Sequence, residues 1–304
     1  MLTTTRSLAP NPHSLIQMLV EKITSRQNPL VKRFRRVRVG NERHFVFLEG
    51  VRLVEDALRS GARFETVAFT SAIESTERGI GLLDALQQVP CRGAHLSPQV
   101  MEAITGTVVA QGVAAIVSRP HYDLEELIAR KPALLVIADR LQDPGNLGAI
   151  IRTAEAVGAD GVITTHYTVE PWNDKALRAS MGAALRLPIV TGATLDETAS
   201  LCRLHKLKIV ASRPSLPPPQ RGVRKARADK KALTYTDADL TTPLALILSK
   251  EASGVEEATT AIADEFVSIP MSAGVESLNV AAAAAVLLYE IARQRNFFAA
   301  APRP

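Results

Sequence analysis

An α/β protein organised around a parallel sheet is predicted from three observations. Short apolar runs of strand length recur at 45–48, 66–69, 112–117, 133–138, 161–164, 187–190, 208–211 and 244–248, and helical patterns separate most of them. Strands alternating with helices imply a parallel sheet covered on both faces. The composition agrees, since 304 residues with 46% hydrophobic and 22% charged suit one large domain or two modest ones. The two cysteines, Cys91 and Cys202, lie far apart without clustered histidines, which argues against a disulfide framework and a zinc site. A reducing, cytoplasmic setting without a metal is expected. The longest apolar run, 280–289 (VAAAAAVLLY), is well short of the roughly 20 residues that cross a bilayer, and Glu290 and Arg293 follow it.

Taken in order, residues 1–21 read as a flexible leader, with Arg6, several Ser and Thr and no acid in the first twenty. The first α/β domain spans 22–118. It holds a strand at 45–48 (FVFL) and a helix at 50–60 closed by Gly61. A strand at 66–69, helices at 81–88 and 97–104, and a strand at 112–117 (GVAAIV) complete it. A polar linker at 119–131 contains a short helix at 124–129. The second domain, 132–296, opens with a strand at 133–138 (ALLVIA), a loop at 139–147 and a helix at 148–157. Its later elements are a strand at 161–164, helices at 173–181 and 195–205, strands at 187–190, 208–211 and 244–248, and a last helix from Asn279. Residues 297–304 are a tail.

Positive charge is concentrated. Residues 22–43 carry eight Lys or Arg against one acid, and 213–231 carry seven against one, so a chain of formal charge +5 is acidic elsewhere. Two basic concentrations on an acidic background attract polyanions, and RNA or DNA is the expected partner. Solvated faces remain the alternative for either run taken singly. The Pro-rich stretch 214–231 has no periodicity and reads as a flexible excursion between two strands.

Three strand-to-loop transitions carry candidate chemistry. Residues 139–153 (DRLQDPGNLGAIIRT) place Asn146 in a loop and Arg152 on the helix that follows, where an amide and a guanidinium can meet a ligand. The competing readings are a turn residue and a surface ion pair with Glu155 or Asp139. Residues 244–254 end a buried strand in a polar turn with Glu251. Residues 267–281 enter the Ala-rich helix through Ser277 and Asn279, for which helix capping is the alternative. The dinucleotide and NTP glycine fingerprints are absent, which argues against a nucleotide-dependent enzyme.

Taken together, the NLGAIIRTA at 146–154, the strand–Glu–x–x–Gly segment at 244–254 and the IPMSAGVESLNVA at 269–281 resemble the three ordered motifs of the SpoU, or TrmH-type, RNA ribose 2'-O-methyltransferases. Ser249 and Ala252 depart from the glycines frequent in the second motif. Residues 25–37 and 47–58 resemble the amino-terminal substrate-binding domain, similar to ribosomal protein L30e, of many members.

The resemblance implies a parallel-sheet SPOUT domain with a carboxyl-terminal trefoil knot, preceded by a smaller L30e-like α/β domain. It implies methyl transfer from S-adenosylmethionine to a ribose 2'-hydroxyl, with ribosomal RNA a better candidate than transfer RNA. Asn146, Arg152, Glu251, Ser277 and Asn279 would line the catalytic site, and Ser249, Gly254, Ile269, Met271 and Leu278 the cofactor site. Arg26, Lys32, Arg33, Arg36 and Arg52 would hold RNA. A homodimer is implied, with the last helix as a contact. A guanidinium with a pKa above about 12 is a poor general base, so Arg152 is expected to bind phosphate and orient the hydroxyl. The competing function is a non-catalytic RNA-binding or ribosome-assembly factor that retains the fold.

Overall fold

The structure, a computed structural model, describes residues 19–105, 112–131, 133–213, 232–249, 257–272, 275 and 277–297. The basic stretch 214–231, Glu251, Ala252 and Gly254 lie outside the described residues. The chain divides into two compact units, Met1–Arg119 and Pro120–Pro304.

The first unit runs β1 (Val20–Ile23), α1 (Pro29–Arg38), β2 (Phe45–Glu49), α2 (Val51–Arg59), β3 (Phe64–Phe69), α3 (Glu77–Leu86), β4 (Arg92–Leu96), α4 (Pro98–Thr105) and β5 (Val113–Ser118). Its sheet has the order β1-β4-β3-β5-β2. β1, β4 and β3 are parallel, and β5 runs antiparallel to both β3 and β2. The basic run at 22–43 folds mainly as α1. Asn28 caps it by accepting from the Leu30 N–H at 2.8 Å, and Pro29 starts it with a preset φ. Leu30, Val31, Phe34 and Val37 are buried in one stripe, which leaves the cations for the opposite face. β1 overlaps the end of the expected leader. Only Ile23 of its four residues is buried, so this edge strand carries almost no hydrophobic signal.

The second unit continues with α5 (Leu124–Ala129), β6 (Leu134–Asp139), α6 (Pro144–Ala156), β7 (Gly161–Thr165), α7 (Asp174–Ser180), α8 (Ala183–Arg186), β8 (Ile189–Ala193), α9 (Leu195–Leu204), β9 (Lys208–Ser212), β10 (Leu233–Thr234), β11 (Leu244–Ser249), α10 (Glu257–Ile262), β12 (Glu265–Ser268) and α11 (Val280–Gln294). Seven parallel strands lie in the order β10-β12-β9-β11-β6-β7-β8. On one face α5, α9 and α10 pack on Ile137, Ile209, Ile247 and Phe266. The segment 119–131 is thus more than a linker, because Leu124, Leu127 and Ile128 of α5 belong to this core. Elsewhere in the unit, α6 packs against α7 and α11.

α6 begins four residues before the position expected from the sequence, which corrects the placement of Asn146 in a loop. Asp143 accepts from the Asn146 N–H at 2.8 Å and Pro144 occupies the first turn, so Asn146 lies inside the helix. Gly148 is the point of closest approach to α7. A Cβ there would stand 2.4 Å from the Ala176 carbonyl oxygen and 2.7 Å from the Ala179 Cβ. Gly148→Ala is therefore expected to cost about 1–3 kcal/mol as the helices are forced apart. Thermal unfolding checks this, and an unchanged Tm would show the α6–α7 contact to be compliant.

Candidate functional site

The polar edge of the second unit is built on a buried carboxylate. Asp139, the last residue of β6, is 2% exposed and pairs in register with Ser249 at the end of β11. Thr165, ending β7, donates its hydroxyl to Asp139 Oδ1 at 2.7 Å and accepts the Arg140 N–H at 3.2 Å. Ser249 Oγ donates to Asp139 Oδ2 at 3.4 Å, and the Arg140 guanidinium lies 3.5 Å from the same oxygen. A buried carboxylate is tolerated when donors satisfy it, and here it ties the carboxyl ends of three adjacent strands together. Sequence reasoning treated Asp139 only as a possible partner of Arg152. The signal was a lone acid ending an unbroken apolar strand (LLVIAD).

Above this edge two helix starts meet. Asn279 caps α11, its Oδ1 accepting from the N–H groups of Ala281 at 2.9 Å and Ala282 at 3.4 Å. The capping leaves its Nδ2 to donate to Asn146 Oδ1 at 3.1 Å. The amide orientations follow from this chain of bonds, because Asn279 can cap only through its oxygen. With its oxygen engaged by Asn279, Asn146 keeps its own NH2 donors, which have no partner among the described residues. Two helix amino termini converging here also make the site favourable to negative charge. Asp143 lies on the rim, its carboxyl held below the usual range by the Lys175 ammonium at 2.8 Å and the Asn146 N–H.

Arg152 is exposed on α6 and makes no hydrogen bond or ion pair among the described residues. Its two alternative partners are engaged elsewhere, Glu155 by Arg186 at 2.6 Å and Asp139 by the strand-end donors. Six residues along a helix turn Arg152 by about 120° from Asn146, so the two side chains leave α6 in different directions.

Ile269, Met271 and Leu278 are half-buried between β12 and α11, and Ser277 is exposed without a partner among the described residues. The backbone groups of Ile269 and Leu278 bond to no other described residue. Open backbone donors and acceptors beside half-buried apolar side chains suit a flat heteroaromatic ring such as adenine. Glu251 and Gly254 lie outside the described residues.

Among the described residues no group of three or more His, Cys, Asp or Glu could hold a metal ion, and no helix is long and apolar enough to cross a membrane. Neither cysteine forms a disulfide. Burial pushes both thiols up to about 11, so neither is a ready thiolate nucleophile near neutrality.

In the first unit the expected RNA ligands separate into two groups. Arg26, Lys32 and Arg52 are exposed and make no hydrogen bond or salt bridge among the described residues, although Arg52 is close enough to Glu55 to help lower its pKa. Arg33 pairs with Glu42 at 3.4 Å and lies 4.7 Å over the Phe45 ring, while Arg36 pairs with Glu42 at 2.9 Å. Arg35 and Arg38 donate to the Ala103 and Ile104 carbonyls at the end of α4. Part of the basic run therefore holds the fold together.

An all-parallel, doubly covered sheet with polar loops gathered at its carboxyl edge defines a doubly wound α/β ligand-binding domain. Within that class the chain belongs to the SpoU rRNA methylase family, whose model matches residues 133–289. Residues 47–123 match the model for RNA 2'-O ribose methyltransferase substrate binding. The chain is 32% identical over 283 residues to an uncharacterised tRNA/rRNA methyltransferase of Synechocystis, covering 91% of this chain and 95% of that one. It is 29% identical to the 23S rRNA (guanosine(2553)-2'-O)-methyltransferase RlmP of Bacillus subtilis, covering 90% and 99%. Among solved structures, the AdoMet-bound rRNA methyltransferase from Sinorhizobium meliloti superposes with a TM-score of 0.75 at 27% identity, covering 90% of this chain and 98% of that one.

Proposed function

We propose that this protein transfers a methyl group from S-adenosylmethionine to a ribose 2'-hydroxyl of 23S ribosomal RNA. The observation that carries the reading is the Asn279–Asn146 hydrogen bond, which joins two motifs 133 residues apart at one polar edge. The similarity to the Bacillus enzyme and to the AdoMet-bound structure supports the substrate and the cofactor.

Ile269, Met271 and Leu278 would hold the adenosine, with Ser249 closing the strand side. When bound, the cofactor supplies a methyl already made electrophilic by its sulfonium. The protein's task is then alignment, with the hydroxyl proton passing to solvent water as the new O–C bond forms and the S–C bond breaks. The Asn146 NH2 donates to the ribose oxygen and orients it for attack, while Asn279 fixes the Asn146 rotamer. Arg152 holds an adjacent phosphate, for which its planar fork suits it and its pKa disqualifies it as a base. Exposed Arg26, Lys32 and Arg52 would grip RNA backbone with a strong salt dependence.

In the sheet β9 and β11 stand between β12 and β6, yet Asn279, which follows β12 in the chain, bonds Asn146 in the helix that follows β6. This path supports the trefoil knot. The Ala282 and Tyr289 side of α11 is exposed, which supports a homodimer contact. The absence of disulfides fits a cytoplasmic site of action.

Ribose-methylation mapping of 23S rRNA from a strain lacking the protein, beside its parent, should show one lost 2'-O-methyl group. An unchanged map would remove this reading. The non-catalytic alternative rests on Ser249, whose hydroxyl donates to Asp139, and on Ala252, which lies outside the described residues. Calorimetry should find S-adenosylmethionine bound, whereas the alternative requires no binding. Deleting 214–231 should lower RNA affinity about tenfold or more near 0.1 M salt and flatten its salt dependence, with cofactor affinity unchanged. Equal RNA affinity in filter binding would make the insertion irrelevant to the substrate.

A further inference from the structure

At the carboxyl ends of β1, β3 and β4 the first unit contains a cleft of about 330 Å³. Its size is at the lower end of small-ligand pockets, and its lining is chemically mixed. Met101 contributes an apolar wall, Lys22 an ammonium group and Glu102 a carboxylate. His95 and Lys22 are register partners on neighbouring strands, so their side chains leave the same face of the sheet.

His95 is held in place before any ligand arrives. Its Nε2 lies 3.2 Å from Ser71 Oγ, and its ring meets Phe69 edge-on with centroids 5.5 Å apart. Ser97 is the second independent sign of a ligand. It directly precedes Pro98, the first residue of α4, where a serine hydroxyl ordinarily accepts a helix N–H. Yet its Oγ is buried with no hydrogen-bond partner. A buried hydroxyl without a partner is unfavourable, and one lining a polar cleft calls for an occupant that completes it.

We infer that this cleft is a subsite for one extruded nucleotide of the RNA substrate, with the base between His95 and Met101 and its phosphate on Lys22. Ser97 and Glu102 meet the polar edge of the base, the first as donor or acceptor and the second as acceptor for an exocyclic amine. Sequence-specific recognition of RNA usually takes this form, since unstacked bases expose edges that a duplex hides. The inference rests on the methyltransferase reading for its substrate, but the cleft lies wholly in the first unit and can be tested apart from it.

The test uses the full-length protein and four nucleoside 5'-monophosphates, with inorganic phosphate as control. NMR follows the imidazole C–H signals of His95, assigned through His95→Gln. At least one nucleotide should move those signals while phosphate at equal concentration does not, and Ala72→Trp, at the exposed mouth of the cleft, should abolish the shift. Lys22→Ala and Ala72→Trp should each raise the Kd for unmodified 23S rRNA about tenfold, the change expected from one lost charge-assisted hydrogen bond or an equivalent contact. Signals that respond equally to phosphate, or to nothing, overturn the subsite. Calorimetry with S-adenosylmethionine on the same samples separates the two conclusions. Normal cofactor binding with silent His95 signals removes only the subsite, and the reverse result removes only the methyltransferase reading.

Discussion

Arg152→Ala should lower methyl transfer to 23S rRNA by about 10²-fold, because the phosphate it holds aligns the ribose, and a misplacement of about 1 Å costs a reaction on that scale. The fold should remain intact. Arg152 is exposed and makes no hydrogen bond or ion pair among the described residues, and surface substitutions of this kind change stability by within about 0.5 kcal/mol. This separates it from Arg33, Arg36 and Arg186, whose guanidinium groups are engaged by carboxylates. Single-turnover assays at saturating RNA, set beside thermal unfolding, distinguish a lost reaction from a lost fold. Arg152→Lys should recover little, since an ammonium cannot reproduce the planar fork. Full turnover in the alanine variant would move the reaction centre elsewhere.

Asn279 offers a sharper dissection, because its two amide atoms have different tasks. Its oxygen caps α11 and its nitrogen donates to Asn146. Asn279→Ala removes both and should cost about 1 kcal/mol of stability as well as most of the activity. Asn279→Asp keeps a good capping oxygen but presents an acceptor to Asn146 Oδ1. Its Tm should therefore stay near that of the parent while turnover falls as far as in the alanine variant. The pair of measurements tests the orientation of the whole amide chain. An aspartate variant with full activity would show that the contact with Asn146 has no part in the reaction.

Most of the fold was legible along the chain. The strand runs at 133–138 and 244–248 are almost continuously apolar, as strands buried on both faces must be, and they became β6 and β11 side by side. What escaped notice was α1, whose cations were read for their charge although four apolar residues form a helical stripe, and several weakly patterned strands. β1 buries one residue of four, β10 has two residues, and β4 contains Gly93 and His95 in a short segment. The start of α6 was missed because the Asp-Pro-Gly sequence reads as a turn, although Asp and Pro are also favoured at a helix start. In the first unit the antiparallel β5 has nothing in its own sequence (VAAIVS) to mark its direction.

The candidate site was legible as three separate segments and no further. Residue types and spacing singled out Asn146, Arg152, Glu251, Ser277 and Asn279, the family resemblance added Ser249, and the basic runs pointed to a polyanion, because composition and short motifs are local properties. The sequence by itself thus determined the alternation of elements, the distribution of charge and the resemblance to a methyltransferase family. Only the tertiary structure decided that Asn279 donates to Asn146, that Asp139 gathers Thr165 and Ser249, and that Arg152 is left unpaired while its neighbours are engaged. The reason is physical. Hydrogen bonds between residues 110 to 133 positions apart depend on strand order and on where each helix begins, and neither is encoded in any single stretch of chain.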